Sequence, residues 1–415
     1  MKRAIIIVII LIVAVALTLQ MLRPRFASNA YTEGLLLSDS AFYELAISKF
    51  DKAIWLNKKV ADYYHARGIA KQKLEMDSAA LTDFSTAISM NENISNYYLD
   101  RGVTLRKLKS MDQALADLNK AIELNDSNSR AFYQRGLLKA TQMQYEDAVK
   151  DYNRSIELDG SNLEAFYSRG ESRANLDDFM GAIEDYDKMI ENAEAPATAY
   201  KQRGIFKLKI QDYEGAEKDL TEAAKYETND KEIFFQLGQA NYKLGELEEA
   251  LEHFGESLKL DPNFDLAYGT RGGVYIQMKD FKKAIADFTK AISLNQEYTK
   301  AYYGRGIAKA LSNDYKNSIT DFSKVIDLDK EFAQAYYNRA VSKAILNDHK
   351  GAIPDYNFII EKDKNNPEAY YNRGISLMNI RETDKACADF QKAVDLGYKP
   401  AEPMLKMYCG SLEKK

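Results

Sequence analysis

The sequence predicts an all-α fold, an α-solenoid of about eleven 34-residue helical hairpins followed by a C-terminal capping helix. Three observations support this prediction: an Arg-Gly pair recurs with a period of 34 residues, apolar residues follow helical spacing in two segments per period, and small residues occupy fixed places. A fixed period of this size indicates a supersecondary unit that buries its apolar face only by stacking on copies of itself.

The Arg-Gly pair sets the register of the repeats. Glu33 and Leu237 take the place of the arginine in two of the eleven repeats. The arginines of the other nine are Arg67, Arg101, Arg135, Arg169, Arg203, Arg271, Arg305, Arg339 and Arg373. The repeats, numbered 1 to 11 below, are 27–60, 61–94, 95–128, 129–162, 163–196, 197–230, 231–264, 265–298, 299–332, 333–366 and 367–400. Because no insertion interrupts them, we expect one continuous solenoid without a conventional domain boundary.

Each repeat reads as two helices joined by a polar turn. In repeat 2, Tyr64 and Gly68 belong to the first segment, and Ala80, Phe84 and Ile88 to the second, all with helical spacing. The glycine recurs in ten of eleven repeats, and Ala or Ser follows it twelve residues later. Since glycine inside a helix costs about 1 kcal/mol relative to alanine, its recurrence predicts a crowded contact between the two helices.

Two columns of bulky residues predict the core between hairpins. One lies four residues before the glycine: Tyr64, Tyr98, Phe132, Phe166, Tyr200, Phe234, Tyr268, Tyr302, Tyr336 and Tyr370. The other lies sixteen residues after it: Phe50, Phe84, Leu118, Tyr152, Tyr186, Leu220, Phe254, Phe288, Phe322, Tyr356 and Phe390. Aromatic side chains bury large areas, so we interpret both columns as packing between neighbouring layers.

An aspartate accompanies every arginine of the register, sixteen residues later. The nine are Asp83, Asp117, Asp151, Asp185, Asp219, Asp287, Asp321, Asp355 and Asp389. Repeat 1 reverses the signs with Glu33 and Lys49, and repeat 7 has Leu237 and His253 instead. We therefore predict an ion pair between the two helices of each repeat, for which the bidentate guanidinium is suited. The functional alternative is an arginine ladder that binds acidic ligands.

The chain resembles the tetratricopeptide repeat proteins. The resemblance rests on the 34-residue period and on the glycine, alanine and aromatic columns, and repeat 7 carries it most fully with Gly238, Tyr242, Ala250, Phe254 and Pro262. It implies a right-handed superhelix of helix pairs whose concave face, lined by the first helix of each pair, holds a peptide or a partner protein. Most other repeats depart from the family pattern by carrying arginine before the glycine.

The concave columns that the resemblance implies are apolar and aromatic at both ends of the array. We predict a partner-binding patch there, made of Tyr133, Tyr167, Tyr303, Tyr337, Tyr371, Ile307, Val341 and Ile375. An extended apolar segment or a helix suits such a groove. These residues could equally well only pack against neighbouring helices. No asparagine follows any glycine, so we expect no clamp for a C-terminal carboxylate of the kind known in the family.

The middle of the same columns is polar, with Glu171, Lys201, Gln239 and Gly273. The segment Asn192 to Pro196 nearby also replaces the usual ending of a repeat. Two interpretations stay open: the solenoid flexes at this seam, or two partners divide the groove.

The N-terminal residues 1–26 are unlike the rest of the chain. Ala4 to Leu17 contains no polar side chain, and the apolar character extends to residue 22, before Arg23 and Arg25. This length is close to that of a membrane span, so we expect a signal anchor that contacts the membrane through residues 4–22, a single-pass location, and a solenoid on the non-cytoplasmic side. The rival is a cleaved signal peptide, since Ala14-Val15-Ala16 resembles a cleavage site.

Composition narrows the possible functions. With 29% charged residues and a net charge of −5, the chain has no strongly basic surface, so nucleic acid is not expected as a partner. No phosphate loop, nucleophile elbow or metal-ligand spacing occurs, and we expect no enzyme activity, no cofactor, no metal and no small-molecule substrate. The two cysteines, Cys387 and Cys409, could approach each other in the last layer, but we expect free thiols. Residues 401–415 should form the capping helix, with Met404, Leu405, Met407 and Tyr408 on its buried side.

These features predict a protein-protein interaction scaffold or adaptor that binds peptide segments or partner proteins in a concave groove while tethered to a membrane. The alternative is a soluble secreted or periplasmic adaptor or assembly chaperone, released by signal-peptide cleavage.

Overall fold

The computed structural model describes residues 2–192 and 197–410, and within them it contains 23 α-helices and no strand. This confirms the all-α solenoid of hairpins with a C-terminal helix. The helices are α1 Lys2–Asp39, α2 Tyr43–Leu56, α3 Ala61–Lys73, α4 Asp77–Met90, α5 Ser95–Lys107, α6 Met111–Leu124, α7 Ser129–Thr141, α8 Tyr145–Leu158, α9 Leu163–Ala174, α10 Phe179–Glu191, α11 Ala197–Lys209, α12 Tyr213–Tyr226, α13 Lys231–Leu244, α14 Leu247–Leu260, α15 Asp265–Gln277, α16 Phe281–Leu294, α17 Thr299–Leu311, α18 Tyr315–Leu328, α19 Ala333–Ile345, α20 His349–Lys362, α21 Pro367–Asn379, α22 Thr383–Asp395 and α23 Ala401–Cys409.

The helices group into two compact units, Met1–Ala199 and Tyr200–Lys415. In each, a first helix packs against the second helix of its own repeat, and that second helix packs against the first helix of the next repeat. The seam predicted at Asn192 to Pro196 falls mostly on residues 193–196, which lie outside the described residues.

One turn residue with left-handed backbone joins the two helices of every repeat. Repeat 7 has Gly245 there, with φ of 86°. The other ten repeats use a residue with a side chain at φ between 59° and 67°: Ala41, Glu75, Lys109, Met143, Asp177, Gln211, Lys279, Asn313, Asn347 and Arg381. Such a backbone is strained for most residues with a Cβ atom, so this turn is imposed by the packing of the hairpin.

The glycine of the register lies against the aromatic ring sixteen residues later. A Cβ atom built on Gly68 would be 2.6 Å from Cε1 of Phe84, and one on Gly306 would be 2.7 Å from Cε1 of Phe322. These separations are too short for carbon atoms, so the predicted crowded contact is confirmed. The ring column itself forms the core, since Phe84 and Phe322 are fully buried.

The core continues from one repeat to the next. In the second compact unit, Ala250 and Phe254 of α14 form one buried cluster with Ala267 and Val274 of α15. The aromatic column before the glycine packs less deeply than predicted. Its tyrosines, such as Tyr302, are only half-buried. Each ring lies against the guanidinium of the arginine three residues later, and the centroid of the Tyr302 ring is 5.6 Å from Cζ of Arg305.

The expectation of a membrane segment at the N-terminus is wrong. The apolar run is not a separate element, because α1 carries it through Pro24 directly into the first hairpin. None of the helices in the described part of the chain has the length and apolar character needed to cross a membrane. The predicted signal anchor in 1–26, the membrane contact through residues 4–22 and the single-pass location are therefore contradicted.

The C-terminal helix α23 packs on α22 and differs from the sequence prediction in two respects. Cys387 and Cys409 form a disulfide, with their Cα atoms 5.7 Å apart, so the expectation of free thiols is wrong. The reason is that α23 places Cys409, which is 7% exposed, in the same buried cluster as Cys387. Met407 and Tyr408, expected to be buried, are 70% and 44% exposed.

Candidate protein-binding surface

Three predicted tyrosines stand at equivalent places on the first helices of repeats 9 to 11. Tyr303 lies on α17, Tyr337 on α19 and Tyr371 on α21, and all three are half-buried. One turn further along the same helices lie Ile307, Val341 and Ile375, also half-buried. These six residues are called the tyrosine patch below.

The inner edge of each tyrosine ring belongs to the core. The ring centroids of Tyr303, Tyr337 and Tyr371 lie 6.0, 6.3 and 6.0 Å from the rings of Phe322, Tyr356 and Phe390, one on each second helix. Burial raises the pKa of Tyr303 and of Tyr337 above the ordinary value for tyrosine. Each ring therefore packs in part against the core. The rings of Tyr303 and Tyr371 have a second aromatic contact, at 5.0 Å from Phe332 and 5.3 Å from Tyr398. All three side chains nevertheless stay partly exposed.

The tyrosine hydroxyls are tied to the next repeat by asparagines. The side-chain amide of Asn338 donates to the hydroxyl of Tyr303 at 3.0 Å, and that of Asn372 donates to the hydroxyl of Tyr337 at 3.0 Å. Each bond joins two successive first helices. The rings are thus held in place before any partner arrives, which lowers the entropy cost of binding.

A shallow cavity opens beside the tyrosine patch. It has a volume of about 370 Å³ and is lined by Tyr303, Tyr337, Gln334, Asn338, Ile359, Asn366, Glu368 and Ala333. Its walls combine two aromatic rings with amide and carboxylate groups. Such a mixture suits a polypeptide, which presents both apolar side chains and backbone N–H and C=O groups.

Two exposed apolar residues that the sequence did not predict extend the tyrosine patch. Leu311 is 53% exposed and Ile345 is 49% exposed. They follow Ile307 and Val341 by four residues on α17 and α19, and residues four apart share one face of a helix. That spacing is the signal that could have identified them.

The other two predicted residues, Tyr133 and Tyr167, lie in the first compact unit on α7 and α9. Their rings are 6.0 Å from Tyr152 and 5.9 Å from Tyr186, which repeats the ring contact of the tyrosine patch. Burial and, to a smaller extent, the hydrogen bond to Glu171 raise the pKa of Tyr186 far above its ordinary value. The environment of these tyrosines is more polar, since the Tyr186 hydroxyl donates to Glu171 at 2.6 Å.

The surface at the first helices of repeats 6 to 8 is less polar than the sequence indicates, since apolar and aromatic side chains line part of its cavity. A cavity of about 600 Å³ is lined by Ile205, Leu208, Lys209, Tyr213, Gln236, Gln239, Tyr242, Lys243 and Thr270. Lys201, the single basic residue of its column, bonds to Asp230 at 2.6 Å. This lysine is therefore already paired with an aspartate of the protein itself.

The arginine and aspartate columns form the predicted ion pairs. In all nine repeats the guanidinium binds the carboxylate sixteen residues later, for example Arg67 Nε to Asp83 Oδ2 at 2.9 Å and Nη2 to Oδ1 at 2.6 Å. The aspartates are 0 to 7% exposed. Repeat 1 keeps the reversed pair, Lys49 to Glu33 at 2.5 Å. The guanidinium donors are thus engaged inside the hairpins, which disfavours the arginine-ladder alternative.

The third nitrogen of the arginine links one repeat to the preceding one. Nη1 of Arg135 donates to Asn119 at 2.8 Å, and Nη1 of Arg373 donates to Asn357 at 2.7 Å. Each acceptor lies on the preceding second helix. The arginine therefore stabilises both its own hairpin and the stacking of hairpins.

Repeat 7 replaces the ion pair by a hydrogen-bond network centred on Asn241. Nδ1 of His253 lies 2.8 Å from Oδ1 of Asn241, which is fully buried. The amide of Asn241 donates to Glu217 at 2.9 Å and to Glu246 at 2.8 Å. Burial lowers the pKa of His253. Within the described residues no group of three or more His, Cys, Asp or Glu side chains could hold a metal ion.

The solved structures that are similar to this chain include the following three. A tetratricopeptide repeat protein from Parabacteroides merdae is 22% identical, with 59% of this chain and 97% of that chain covered and a TM-score of 0.44. MamA from Desulfovibrio magneticus is 27% identical over 40% of this chain and 95% of its own, with a TM-score of 0.39. Yeast Tom70 is 13% identical over 94% and 96%, with a TM-score of 0.41.

Family models identify the repeats directly. No curated protein matches the chain significantly. Models of the tetratricopeptide repeat match residues 95–128, 133–197, 231–264, 266–298 and 367–396. These segments lie in both compact units and follow the hairpins described above. The chain therefore contains tetratricopeptide repeats, stacked as an α-solenoid.

Proposed function

We propose that the protein is an interaction scaffold whose second compact unit binds an apolar segment of a partner protein across α17, α19 and α21. The observation that carries this proposal is the combination of half-exposed Tyr303 and Tyr337 with the exposed side chains of Leu311 and Ile345 on one helical face. Apolar side chains gathered on one face of a folded domain are typical of protein interaction sites.

The bound segment is an extended chain or an amphipathic helix. The tyrosine rings offer flat apolar area that is already ordered, and Tyr and similar aromatic residues are enriched at binding hot spots. Asn338 and Glu368 beside them supply polar groups for the backbone of the segment. Membrane attachment has no part in this proposal.

The test compares two apolar-to-charged substitutions. Ile345→Lys places a charge on the proposed surface, and Leu260→Lys places one on a second helix at a residue that is 39% exposed. Chemical cross-linking in intact cells, followed by purification, should recover a defined partner with the wild type and with Leu260→Lys but not with Ile345→Lys. Unchanged recovery with Ile345→Lys, at unchanged melting temperature, rejects the proposed surface.

The disulfide supports a second candidate, an adaptor or assembly chaperone exported after cleavage near Ala14-Val15-Ala16. Disulfides persist in oxidising compartments and are rare in the cytosol. The bond between Cys387 and Cys409 fits an exported protein. N-terminal sequencing of mature protein tests it: a start shortly after residue 16 supports export with cleavage, and an intact N-terminus rejects it.

A further inference from the structure

Most of the buried aspartates bind a second cation besides the arginine of the register. In six repeats a lysine or arginine four residues after that arginine reaches the same carboxylate. The pairs are Lys71–Asp83 at 2.8 Å, Lys139–Asp151 at 2.8 Å, Arg173–Asp185 at 3.0 Å, Lys207–Asp219 at 2.8 Å, Lys309–Asp321 at 2.7 Å and Lys343–Asp355 at 2.9 Å.

Three repeats lack this second cation because Leu105, Tyr275 and Leu377 stand in its place. In the described part of the chain, the corresponding aspartates form ion pairs only with the arginine of their own repeat. They are also the three most exposed of the nine: Asp117 at 7%, Asp287 at 7% and Asp389 at 6%.

Cavities open where leucine replaces the cation. One, of about 410 Å³, is lined by Leu81, Ser85, Arg101, Leu105, Gln113, Ala116 and Asp117. The other has a volume of about 590 Å³ and lies eight repeats later in the chain. Its lining includes the residues at all seven positions equivalent to those of the first cavity, among them Leu377 and Asp389. In repeat 8, Tyr275 fills the place, with its ring centroid 5.4 Å from Nζ of Lys283.

We propose that the cavities at Leu105 and Leu377 are sockets for a lysine side chain of a partner protein. The protein supplies the template itself, since five of the six second cations are lysines whose ammonium groups bind the equivalent carboxylate at 2.7 to 2.9 Å. In each socket the leucine offers an apolar wall to the lysine stem, and the aspartate accepts from the ammonium group. Lysine commonly buries its stem in this way.

The Leu105 socket has fewer cationic side chains in its lining than the Leu377 socket. Its lining contains no cation other than Arg101, whose pKa is raised by its hydrogen bond to Asp117. The Leu377 socket has two lysines in its lining, Lys350 and Lys385, and Lys385 forms an ion pair with Glu382. Both sockets lie between successive second helices. Their residues are not those of the tyrosine patch, so this proposal does not depend on the proposed function.

The experiment uses blocked lysine, Nα-acetyl-lysine N-methylamide, as the probe for the full-length protein with labelled methyl groups. NMR titration at fixed ionic strength should shift the methyl signals of Leu81 and Leu105 in a saturable manner. The Nε-acetylated form of the probe has the same stem without charge, and it should bind about tenfold more weakly because the charge-assisted hydrogen bond is lost. Equal binding of both forms overturns the proposal.

Two variants complete the test. Leu105→Lys fills the socket with the side chain that five other repeats use, and it should abolish the shift at Leu81 while that at Leu377 stays. Lys139→Leu creates the same cavity in the next repeat, and its new leucine methyls should respond to the probe. Persistence of the Leu81 shift in Leu105→Lys, or the absence of a saturable shift in the wild type, rejects the socket. Thermal melts establish that both variants are folded.

Discussion

Arg373 and Asp389 join the two helices of one hairpin through two hydrogen bonds, Nε to Oδ2 at 2.8 Å and Nη2 to Oδ1 at 2.7 Å. The guanidinium also reaches Asn357 of the preceding repeat and lies 5.5 Å from the ring of Tyr370. A single side chain thus connects three successive helices, α20, α21 and α22, which explains why arginine, and not lysine, occupies this column.

Removal of one partner of this pair should destabilise the protein strongly. Arg373→Ala leaves Asp389 buried at 6% exposure without a counter-ion, and such a change costs about 3 kcal/mol. The double variant Arg373→Asp with Asp389→Arg should recover part of the loss. The same swap at Arg339 and Asp355 should recover less, because Lys343 would then face the new arginine. Urea unfolding measures both, and equal recovery at the two sites contradicts the assignment.

Gly255 leaves Arg271 without the link that other repeats have. It occupies the place of Asn119 and Asn357, and a Cβ atom on it would meet nothing within 4 Å. Gly255→Asn should provide the missing acceptor for Nη1 of Arg271. The matched control is Gly273→Asn, also in a helix with open space at the Cβ position.

The Gly255 substitution should raise the free energy of unfolding by about 1 kcal/mol more than the control, since both remove a helical glycine but only one adds a charge-assisted hydrogen bond. Denaturant unfolding of the two variants checks this difference. Equal stabilisation would mean that the arginine gains nothing from the new side chain.

The turn residues store backbone strain that can be released. Met143 has φ of 60° and is 76% exposed, so its side chain contributes little packing. Met143→Gly should stabilise the protein by about 0.5 to 1 kcal/mol, because glycine adopts this backbone without steric cost. Gly245→Ala, at the equivalent turn with φ of 86°, should destabilise by a similar amount. Melting temperatures that move in the same direction for both variants would refute this account.

The disulfide should hold the C-terminal helix in place. It closes a loop with a sequence separation of 22 residues, for which chain entropy predicts about 3 kcal/mol. Reduction should therefore expose α23 to protease before the rest of the chain unfolds. The variant Cys387→Ser should behave like the reduced protein and show no response to reductant. Identical proteolysis of the oxidised and reduced forms would exclude a stabilising role.

The repeats explain what the sequence could and could not predict. Eleven aligned copies act as an internal comparison, so the pair Arg67 with Asp83 was identifiable from spacing alone. For Gly68 the spacing predicted a crowded contact between the two helices, but not that the ring of Phe84 makes it. The turn residues Ala41 and Lys109 were not, because their backbone is set by hairpin packing and not by their own preference.

Features without a repeated partner were also beyond the sequence. The pairing of Cys387 with Cys409 depends on how α23 docks on α22, and no other repeat contains that contact. The apolar N-terminal run resembled a membrane segment in isolation, whereas in the structure it is the beginning of α1.

The most direct test of the proposed binding surface is site-specific photocross-linking in intact cells. A photoreactive amino acid replaces Ile345 on the first-helix surface in one protein and Leu260 on a second helix in another. The tyrosine patch predicts one defined cross-linked partner from position 345, lost when Tyr337→Ala is added, and no such product from position 260. The same partner in equal amount from both positions, or only from position 260, would contradict it.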